Sequence, residues 1–260
     1  MDKNSFFGSA PLWIIFAAIV ASIVASIYLG IFISRIRRKD TPTEDDMPVG
    51  TIVGASLGLL GFLLAFTFGF TASRFDSKKQ LLLDEVNSIG TTFLRAGFLP
   101  EQHCTEVRNL IRKYVDLRIE LTEHPEKIKP IIEESVSLQD EMWKHAEAVT
   151  KEDLKNPDIV SLFMISLNET IDLQTKRITV ALVYRIPDVI WYAILCLLIL
   201  SMFEVGYLFM KSKKSNLIMI LALSLAFSLV ILMIITFDRS DEGIKLNQQP
   251  MIELQKSLNK

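Results

Sequence analysis

The sequence predicts an all-α membrane protein with four transmembrane helices and a helical extramembrane domain between the second and third of them. Two observations predict this fold class: four long apolar runs, and a charged central stretch with helical periodicity. Hydrophobic residues make up 50% of the 260 residues and charged residues 22%, so the two classes must be segregated along the chain. The net charge of -2 argues against a nucleic-acid partner, which would require a basic face or stripe.

The four apolar runs cover residues 12–34, 49–72, 189–210 and 216–237. A helix needs ~20 apolar residues to cross the hydrocarbon core of a bilayer. Backbone groups have no water to bond in lipid, so each run should be helical. Glu204 is the one charged residue within these runs. An acid in lipid is a candidate functional residue, although Glu204 is close enough to the end of its run to reach the interface.

The stretch between the second and third runs, residues 73–188, predicts a helical domain. Its apolar residues recur at three- and four-residue spacing, as in Val107, Leu110, Ile111 and Tyr114. Prolines interrupt this pattern, and helices usually end before a proline. The predicted helical stretches are 77–97, 101–123, 130–150 and 157–184.

These segments divide the chain into four parts. Residues 1–72 form the first transmembrane pair, 73–188 the extramembrane domain, 189–237 the second transmembrane pair and 238–260 a polar C-terminal tail. An even number of spans places both termini and the domain on the same side of the membrane. Basic residues flank the spans on both sides, so the positive-inside rule leaves open which side that is.

The second apolar run has an edge of small residues, formed by Gly50, Gly54, Gly58 and Gly61. Glycines at this spacing allow helix backbones to approach closely, which is a main source of helix packing in lipid. The simplest interpretation of this edge is therefore helix packing.

The same run continues with Phe62, Phe66 and Phe70, which lie along one row of a helix. Two interpretations are open. The rings can pack against other helices or face lipid. If several copies of the helix surround an axis, the rings would instead narrow a pore whose lining also includes Gly58, and hydrophobic constrictions of this kind can gate by dewetting.

The second helix is expected to continue beyond the membrane, because no proline occurs between 73 and 99. Arg74, Lys78 and Lys79 would then lie just beyond the aromatic row. A basic cluster at a pore mouth raises the local concentration of anions. The same residues would equally serve as anchors for lipid headgroups.

The sequence contains little that points to chemistry. Its two cysteines, Cys104 and Cys196, exclude a disulfide framework and a multi-cysteine metal site. His103 precedes Cys104, but no third ligand shares their helix, so no metal site is expected. Because phosphate-binding loops and catalytic motifs are also missing from the sequence, we expect neither a cofactor nor enzyme activity.

Several segments resemble the bacterial bestrophin-like family, formerly a domain of unknown function. The resemblance is carried by residues 61–76 (GFLLAFTFGFTASRFD), 85–91 (EVNSIGT), 94–96 (LRA), 112–118 (RKYVDLR) and tail residues Asp238, Arg239, Gly243 and Pro250. It covers most of 49–254 and implies a bestrophin-like fold in a bacterial inner membrane. Ser240 stands where the family pattern usually has proline.

Bestrophins are pentameric anion channels in which the second membrane helix lines a neck of apolar residues ahead of an arginine. Phe62 and Phe66 precede Arg74 in a similar order. The resemblance therefore implies a homo-oligomer in membrane lipid, a pentamer, that conducts inorganic ions. It also implies that the domain and both termini are cytoplasmic.

Two functions remain open from the sequence. The first is an oligomeric, anion-conducting channel with the second transmembrane helix lining its neck. The second is a non-conducting membrane scaffold or sensor whose helical domain binds a partner. A transporter has little support, because there are only four spans and no inverted repeat.

Overall fold

The computed structural model describes residues 6–8, 10–37, 49–151, 157–211, 217–239 and 246–260. No strand occurs within these ranges, so the predicted all-α class is confirmed for them. The α-helices are α1 (Leu12–Arg37), α2 (Val49–Ala96), α3 (Glu101–Glu123), α4 (Ile128–Thr150), α5 (Pro157–Ile178), α6 (Asp188–Lys211), α7 (Leu217–Asp238) and α8 (Gln249–Leu258).

Four helical stretches are long and apolar enough to cross a membrane, judged by length and composition: Leu12–Ile36, Gly50–Ala96, Asp158–Phe209 and Leu217–Asp238. They overlap the four predicted apolar runs and cover them to within one residue, except that 216 lies outside the described residues. The second and third stretches far exceed the ~20 residues that a hydrocarbon core requires. Their apolar parts, 49–72 and 189–210, are the portions suited to lipid.

The chain divides into two compact units. The membrane unit comprises Met1–Ser73 and Arg185–Ile244, and the helical unit comprises Arg74–Tyr184 and Lys245–Lys260. The expectation that the second helix continues past its apolar run is confirmed, because α2 is one helix with residues in both units.

In the membrane unit, α1 packs against α6 and α7. The buried side of α1 is a ridge of isoleucines at four-residue spacing: Ile15, Ile19, Ile23, Ile27 and Ile31. Ridges of this spacing fit into the grooves of a neighbouring helix. This ridge accounts for the shielded core of the membrane unit.

Two glycines allow the backbones of α1 and α6 to approach each other closely. A Cβ added at Gly30 would meet backbone atoms of Phe203 and Tyr207, and one added at Gly206 would meet the backbone of Ile27. Only glycine allows backbones to approach this closely. Neither glycine was among the packing glycines predicted from the sequence.

In the helical unit, α3, α4, α5 and the C-terminal part of α2 surround a core that includes Ile89, Tyr114, Met142 and Phe163. The helix boundaries correct two predictions. α4 begins at Ile128 rather than at 130, because a proline is tolerated in the first helical turn. α5 ends at Ile178 and is followed by a π-helix, Thr179–Val183, instead of continuing to 184.

The polar C-terminal tail contains a helix that the sequence analysis missed. α8 buries Met251 and Leu258 in the core of the helical unit. The Nε of Arg112 on α3 donates a hydrogen bond to the carbonyl oxygen of Leu258 at 2.9 Å. Met251, Leu254 and Leu258 have helical spacing, which was the available signal in an otherwise polar segment.

Candidate functional site

The predicted glycine and phenylalanine residues of α2 form one row at four-residue spacing. The row consists of Gly50, Gly54, Gly58, Phe62, Phe66 and Phe70. Among the described residues, no atom lies within 4 Å of a Cβ placed at Gly50, Gly54 or Gly58. The rings of Phe62 and Phe66 are 69% and 63% exposed, and that of Phe70 is 49% exposed. Residues four apart turn by about 40° around a helix of 3.6 residues per turn, so the row winds around the exposed half of α2 between Gly50 and Phe70. We call this exposed half the outward face of α2.

The opposite side of α2 is buried. Leu60, Leu64, Thr67 and Thr71 are almost inaccessible there. The Oγ1 of Thr67 donates to the carbonyl oxygen of Leu63 at 2.7 Å, so this hydroxyl is satisfied within its own helix. The burial of this side leaves the outward face as the part of the apolar run that is open to other molecules.

Gly61 lies apart from the row, beside α7. It borders a cavity of ≈ 310 Å³ lined entirely by residues of α2 and α7, including Leu64 and Phe68. The ring of Phe68 packs edge-on against that of Phe237, with centroids 5.8 Å apart. A Cβ at Gly61 would also meet no described atom within 4 Å. Within the described chain, then, none of the four predicted packing glycines makes a close helix contact.

Arg74 is buried and bound to backbone. Its Nε and Nη2 donate to the carbonyl oxygen of Val180 at 3.3 and 3.2 Å, and Nη2 also donates to that of Ala181 at 3.4 Å. Both carbonyls belong to the π-helix Thr179–Val183. The guanidinium group therefore anchors α2 to this irregular turn.

The two lysines predicted beside Arg74 differ in exposure. Lys78 is partly buried. The side chain of Lys79 is 55% exposed, and its Nζ lies 3.2 Å from the carboxylate of Asp76 and 4.6 Å from the ring centroid of Phe75. Exposed ion pairs contribute little stability, so Lys79 is free to exchange this partner for solvent ions.

Glu204, the intramembrane acid, lies on α6. Its Oε2 is buried and has no hydrogen-bond partner among the described residues. The Oγ of Ser201, three residues earlier, is also buried and has no hydrogen-bond partner among the described residues. Buried polar atoms without partners are costly, and the Oγ of Ser228 on α7 is another such atom in the membrane unit.

The structure also reveals a charge cluster that the sequence analysis did not predict. It consists of Glu85 from α2, Tyr114 and Arg118 from α3, and Arg177 from α5. The hydroxyl of Tyr114 donates to Oε1 of Glu85 at 2.9 Å. The Nε of Arg118 lies 2.9 Å from Oε1, and Nη1 of Arg177 donates to Oε2. The side chains of Glu85 and Arg118 are 0% and 2% exposed, so this is a buried cluster.

The charges in the cluster set its protonation state. Burial raises the pKa of Glu85. The guanidinium groups of Arg118 and Arg177, together with the hydrogen bonds from Arg177 and Tyr114, lower it by more than burial raises it, so the pKa lies below the ordinary value. Burial and the charge of Glu85 raise the pKa of Tyr114 well above the ordinary value. At neutral pH, therefore, Glu85 is ionised and Tyr114 is a protonated donor.

Residues of the resemblance-carrying segments meet in this cluster. Glu85 belongs to the segment 85–91, and Tyr114 and Arg118 belong to 112–118. In the sequence, these segments indicated a family but not a contact between them. The signal that could have found the cluster is a charged residue on the apolar side of each helix, with Glu85 between Leu82 and Ile89 on α2.

A second polar contact joins α3 to α4. The Nδ1 atoms of His103 and His145 are 3.0 Å apart, and the two rings are edge-on. Among the described residues, no group of three or more potential metal ligands occurs. We therefore interpret the histidine pair as a hydrogen bond that joins α3 to α4.

The comparisons with known proteins agree with this architecture. A family model described as Bestrophin-like domain matches residues 13–241. The fold is similar to that of a mutated bacterial bestrophin homologue from Klebsiella pneumoniae, with a TM-score of 0.65 and 11% identity over 92% of this chain and 96% of the other. At this identity the structural match establishes the fold alone, and no curated protein matches the sequence. Because the family model spans most of the chain, this membrane protein belongs to the Bestrophin-like family.

Proposed function

We propose that the protein is an oligomeric, anion-conducting channel in which α2 from several protomers lines a hydrophobic neck. The observation that carries this proposal is the outward face of α2. Phe62 and Phe66 are more than 60% exposed although they lie in the middle of an apolar run, and Gly58 beside them is open. Family membership and the resemblance to bestrophin channels favour a pore over a lipid-facing surface.

The neck would consist of the rings of Phe62, Phe66 and Phe70 from each protomer. Residues four apart lie about 6 Å apart along a helix axis, so each phenylalanine adds a separate ring of side chains around the pore. Such a stack is narrow and unable to bond water, and it can therefore close by dewetting. Gly50, Gly54 and Gly58 have no side chains to fill the pore and would form its wider end.

The basic residues Arg74, Lys78 and Lys79 would lie at the mouth of the neck. Arg74 follows Phe70 by one turn, and its charge is held in place by the carbonyl groups of the π-helix. Lysines and arginines around an opening raise the local anion concentration, which is the physical basis for proposing anion selectivity.

The proposed assembly is a homo-oligomer, a pentamer by resemblance to bestrophins, embedded in a bacterial inner membrane. Both termini and the domain 73–188 would lie on the same side of the membrane. The ion path requires several copies, because the outward face of α2 lies on the outside of the single chain.

Native mass spectrometry in a membrane mimetic tests assembly first. We expect a closed oligomer rather than a monomer. Ion flux into liposomes then tests the neck with the double variant Phe62→Ala and Phe66→Ala. Removing the rings should widen the constriction and raise the flux above that of the wild-type protein, and replacing chloride by a large anion should reduce it.

The variant Phe32→Ala is the matched control, because Phe32 lies on α1 and is 59% exposed. It should leave the flux unchanged. A stable monomer, or wild type and variants that are all silent, would contradict the channel and favour the non-conducting scaffold or sensor, in which the phenylalanines face lipid.

A further inference from the structure

The charge cluster of the helical unit contains more positive than negative charge. One carboxylate, that of Glu85, faces the guanidinium groups of Arg118 and Arg177. Among the residues that the structure describes, no second carboxylate forms a salt bridge with either arginine. Tyr114 is protonated and does not contribute negative charge. The ionised cluster therefore carries a net charge of +1 in the interior, where an uncompensated charge is expensive.

Arg118 also has an unused donor group. Its Nη2 donates weakly to Oε2 of Glu85 at 3.4 Å, and its Nε is close to Oε1 but outside hydrogen-bond geometry. Its Nη1 is buried and has no hydrogen-bond partner among the described residues. A guanidinium donor left unpaired in the interior loses the free energy of its hydration without replacement.

A single bound anion would both neutralise the excess positive charge and accept a hydrogen bond from the unpaired donor. We propose that the cluster of Glu85, Arg118 and Arg177 binds a small monovalent inorganic anion at Nη1 of Arg118. A water molecule would satisfy the donor and leave the excess charge, whereas an anion would accept the hydrogen bond and neutralise the charge. The side chain of Arg177 is 12% exposed, so it is more accessible to solvent than those of Glu85 and Arg118.

The pKa of Arg177 lies below the ordinary value, mainly because the group is buried. The charge of Glu85 raises this pKa, and repulsion from Arg118 lowers it. The pKa of Arg118 itself is raised, because the interactions with Glu85 and Tyr114 outweigh burial. An anion beside the two guanidinium groups would relieve this repulsion.

This site is separate from the proposed pore. Its residues lie within the helical unit, and none of them belongs to the outward face of α2. The proposal does not require conduction, and its test does not use ion flux. Failure of the anion site would therefore leave the channel proposal untouched, and the reverse also holds.

Thermal unfolding of the full-length protein in detergent tests the site, with sodium chloride compared with sodium gluconate at equal ionic strength. An anion that binds only the folded state stabilises it by mass action. We expect chloride to raise the melting temperature with the logarithm of its concentration above the dissociation constant, on the order of 2–4 °C when the site is largely filled. Bromide, which is chemically similar, should act in the same way.

Arg177→Gln removes the excess charge and should abolish the difference between chloride and gluconate. Arg177→Lys keeps the charge and should preserve the difference, even if both variants are less stable than the wild type. Lys113→Gln is the matched control, because it makes the same charge change at an exposed position of α3. It should retain the full chloride effect.

A bromide-soaked crystal of the wild-type protein supplies a test that does not depend on folding of the variants. We expect an anomalous peak within hydrogen-bond distance of Nη1 of Arg118. Equal melting temperatures in chloride and gluconate at every concentration, a chloride effect that survives Arg177→Gln, or an ordinary water peak at Nη1 would each overturn the proposal.

Discussion

The two halves of α2 satisfy their buried polar groups in different ways. In the membrane half, the hydroxyls of Thr67 and Thr71 donate to carbonyl oxygens of α2 itself. In the helical unit, Ser88 and Thr92 bond to the hydroxyl of Thr170 on α5, at 2.9 and 3.1 Å. The Oγ1 of Thr92 also donates to the carbonyl oxygen of Ser88 on α2 at 2.8 Å. The buried hydroxyls of the membrane half thus bond within α2, whereas those of the second half also reach another helix.

This difference follows from what surrounds each half. A membrane helix whose hydroxyls bond its own backbone presents apolar surface in every direction, so its lateral contacts are decided by shape. In the helical unit, Glu85 is buried against α3 and α5, where a displaced arrangement would leave its charge unpaired. Polar contacts therefore select the partners of the second half, and close packing selects those of the first half.

The strongest test of this contrast is Glu85→Gln. The substitution keeps the size of the side chain but leaves two buried guanidinium groups without a carboxylate. Breaking a buried ion pair by removing one partner costs about 3–5 kcal/mol, and we expect a loss of this size in the free energy of unfolding. Chemical denaturation followed by circular dichroism measures it.

Asp84→Asn is the control, because Asp84 is the neighbouring acid and, within the described part of the chain, accepts a side-chain bond only from Gln80 on the same helix. It should change stability by less than about 0.5 kcal/mol. Equal effects of the two substitutions would show that the cluster does not hold α2 against α3 and α5.

The packing of the membrane unit is tested by comparing Gly206→Leu with Gly54→Leu. A side chain at 206 would collide with the backbone of α1 at Ile27, and overpacking of this kind costs about 1–3 kcal/mol or more. A Cβ at 54 meets no described atom within 4 Å outside its own helix backbone. We expect Gly206→Leu to lower the melting temperature of the protomer and Gly54→Leu to leave it unchanged.

The same two variants separate folding from assembly. In native mass spectrometry, Gly54→Leu should yield folded protein with less oligomer, because the outward face of α2 is where neighbouring copies would meet. If Gly54→Leu instead unfolds the protomer, the outward face is packed within one chain and the proposed neck fails.

The smallest expected effect comes from one pair of identical substitutions, Thr92→Val and Thr67→Val. Both threonines are almost fully buried, at 1% and 2% exposure. Thr92→Val removes a contact with Thr170 and should cost about 1 kcal/mol, as for a typical hydrogen bond. Thr67→Val removes only a bond to its own helix and should cost less. Thermal unfolding of the two variants in parallel measures the difference, and a larger loss at Thr67 would reverse the contrast.

Much of the helical architecture was predictable because it depends on neighbouring residues. The four apolar runs reappear in α1, α2, α6 and α7, since length and hydropathy alone qualify a helix to cross lipid. The continuation of α2 to Ala96 followed from the lack of a proline. α8 was missed because Met251 and Leu258 form a weak apolar pattern within a polar segment, and the core of the helical unit completes their burial.

The candidate sites were also partly predictable from the sequence and partly decided by the tertiary structure. The sequence by itself placed Phe62, Phe66 and Phe70 on one row of a helix, because a helical period determines which residues share a side. Only the tertiary structure decided that this row faces outward, that Gly30 and Gly206 make the close contacts in the membrane unit, and that Glu85 meets Arg118 and Arg177. The physical reason is that these contacts join residues far apart in the chain. Whether a glycine is crowded or a charge is paired is a property of the partner helix, which no local pattern encodes.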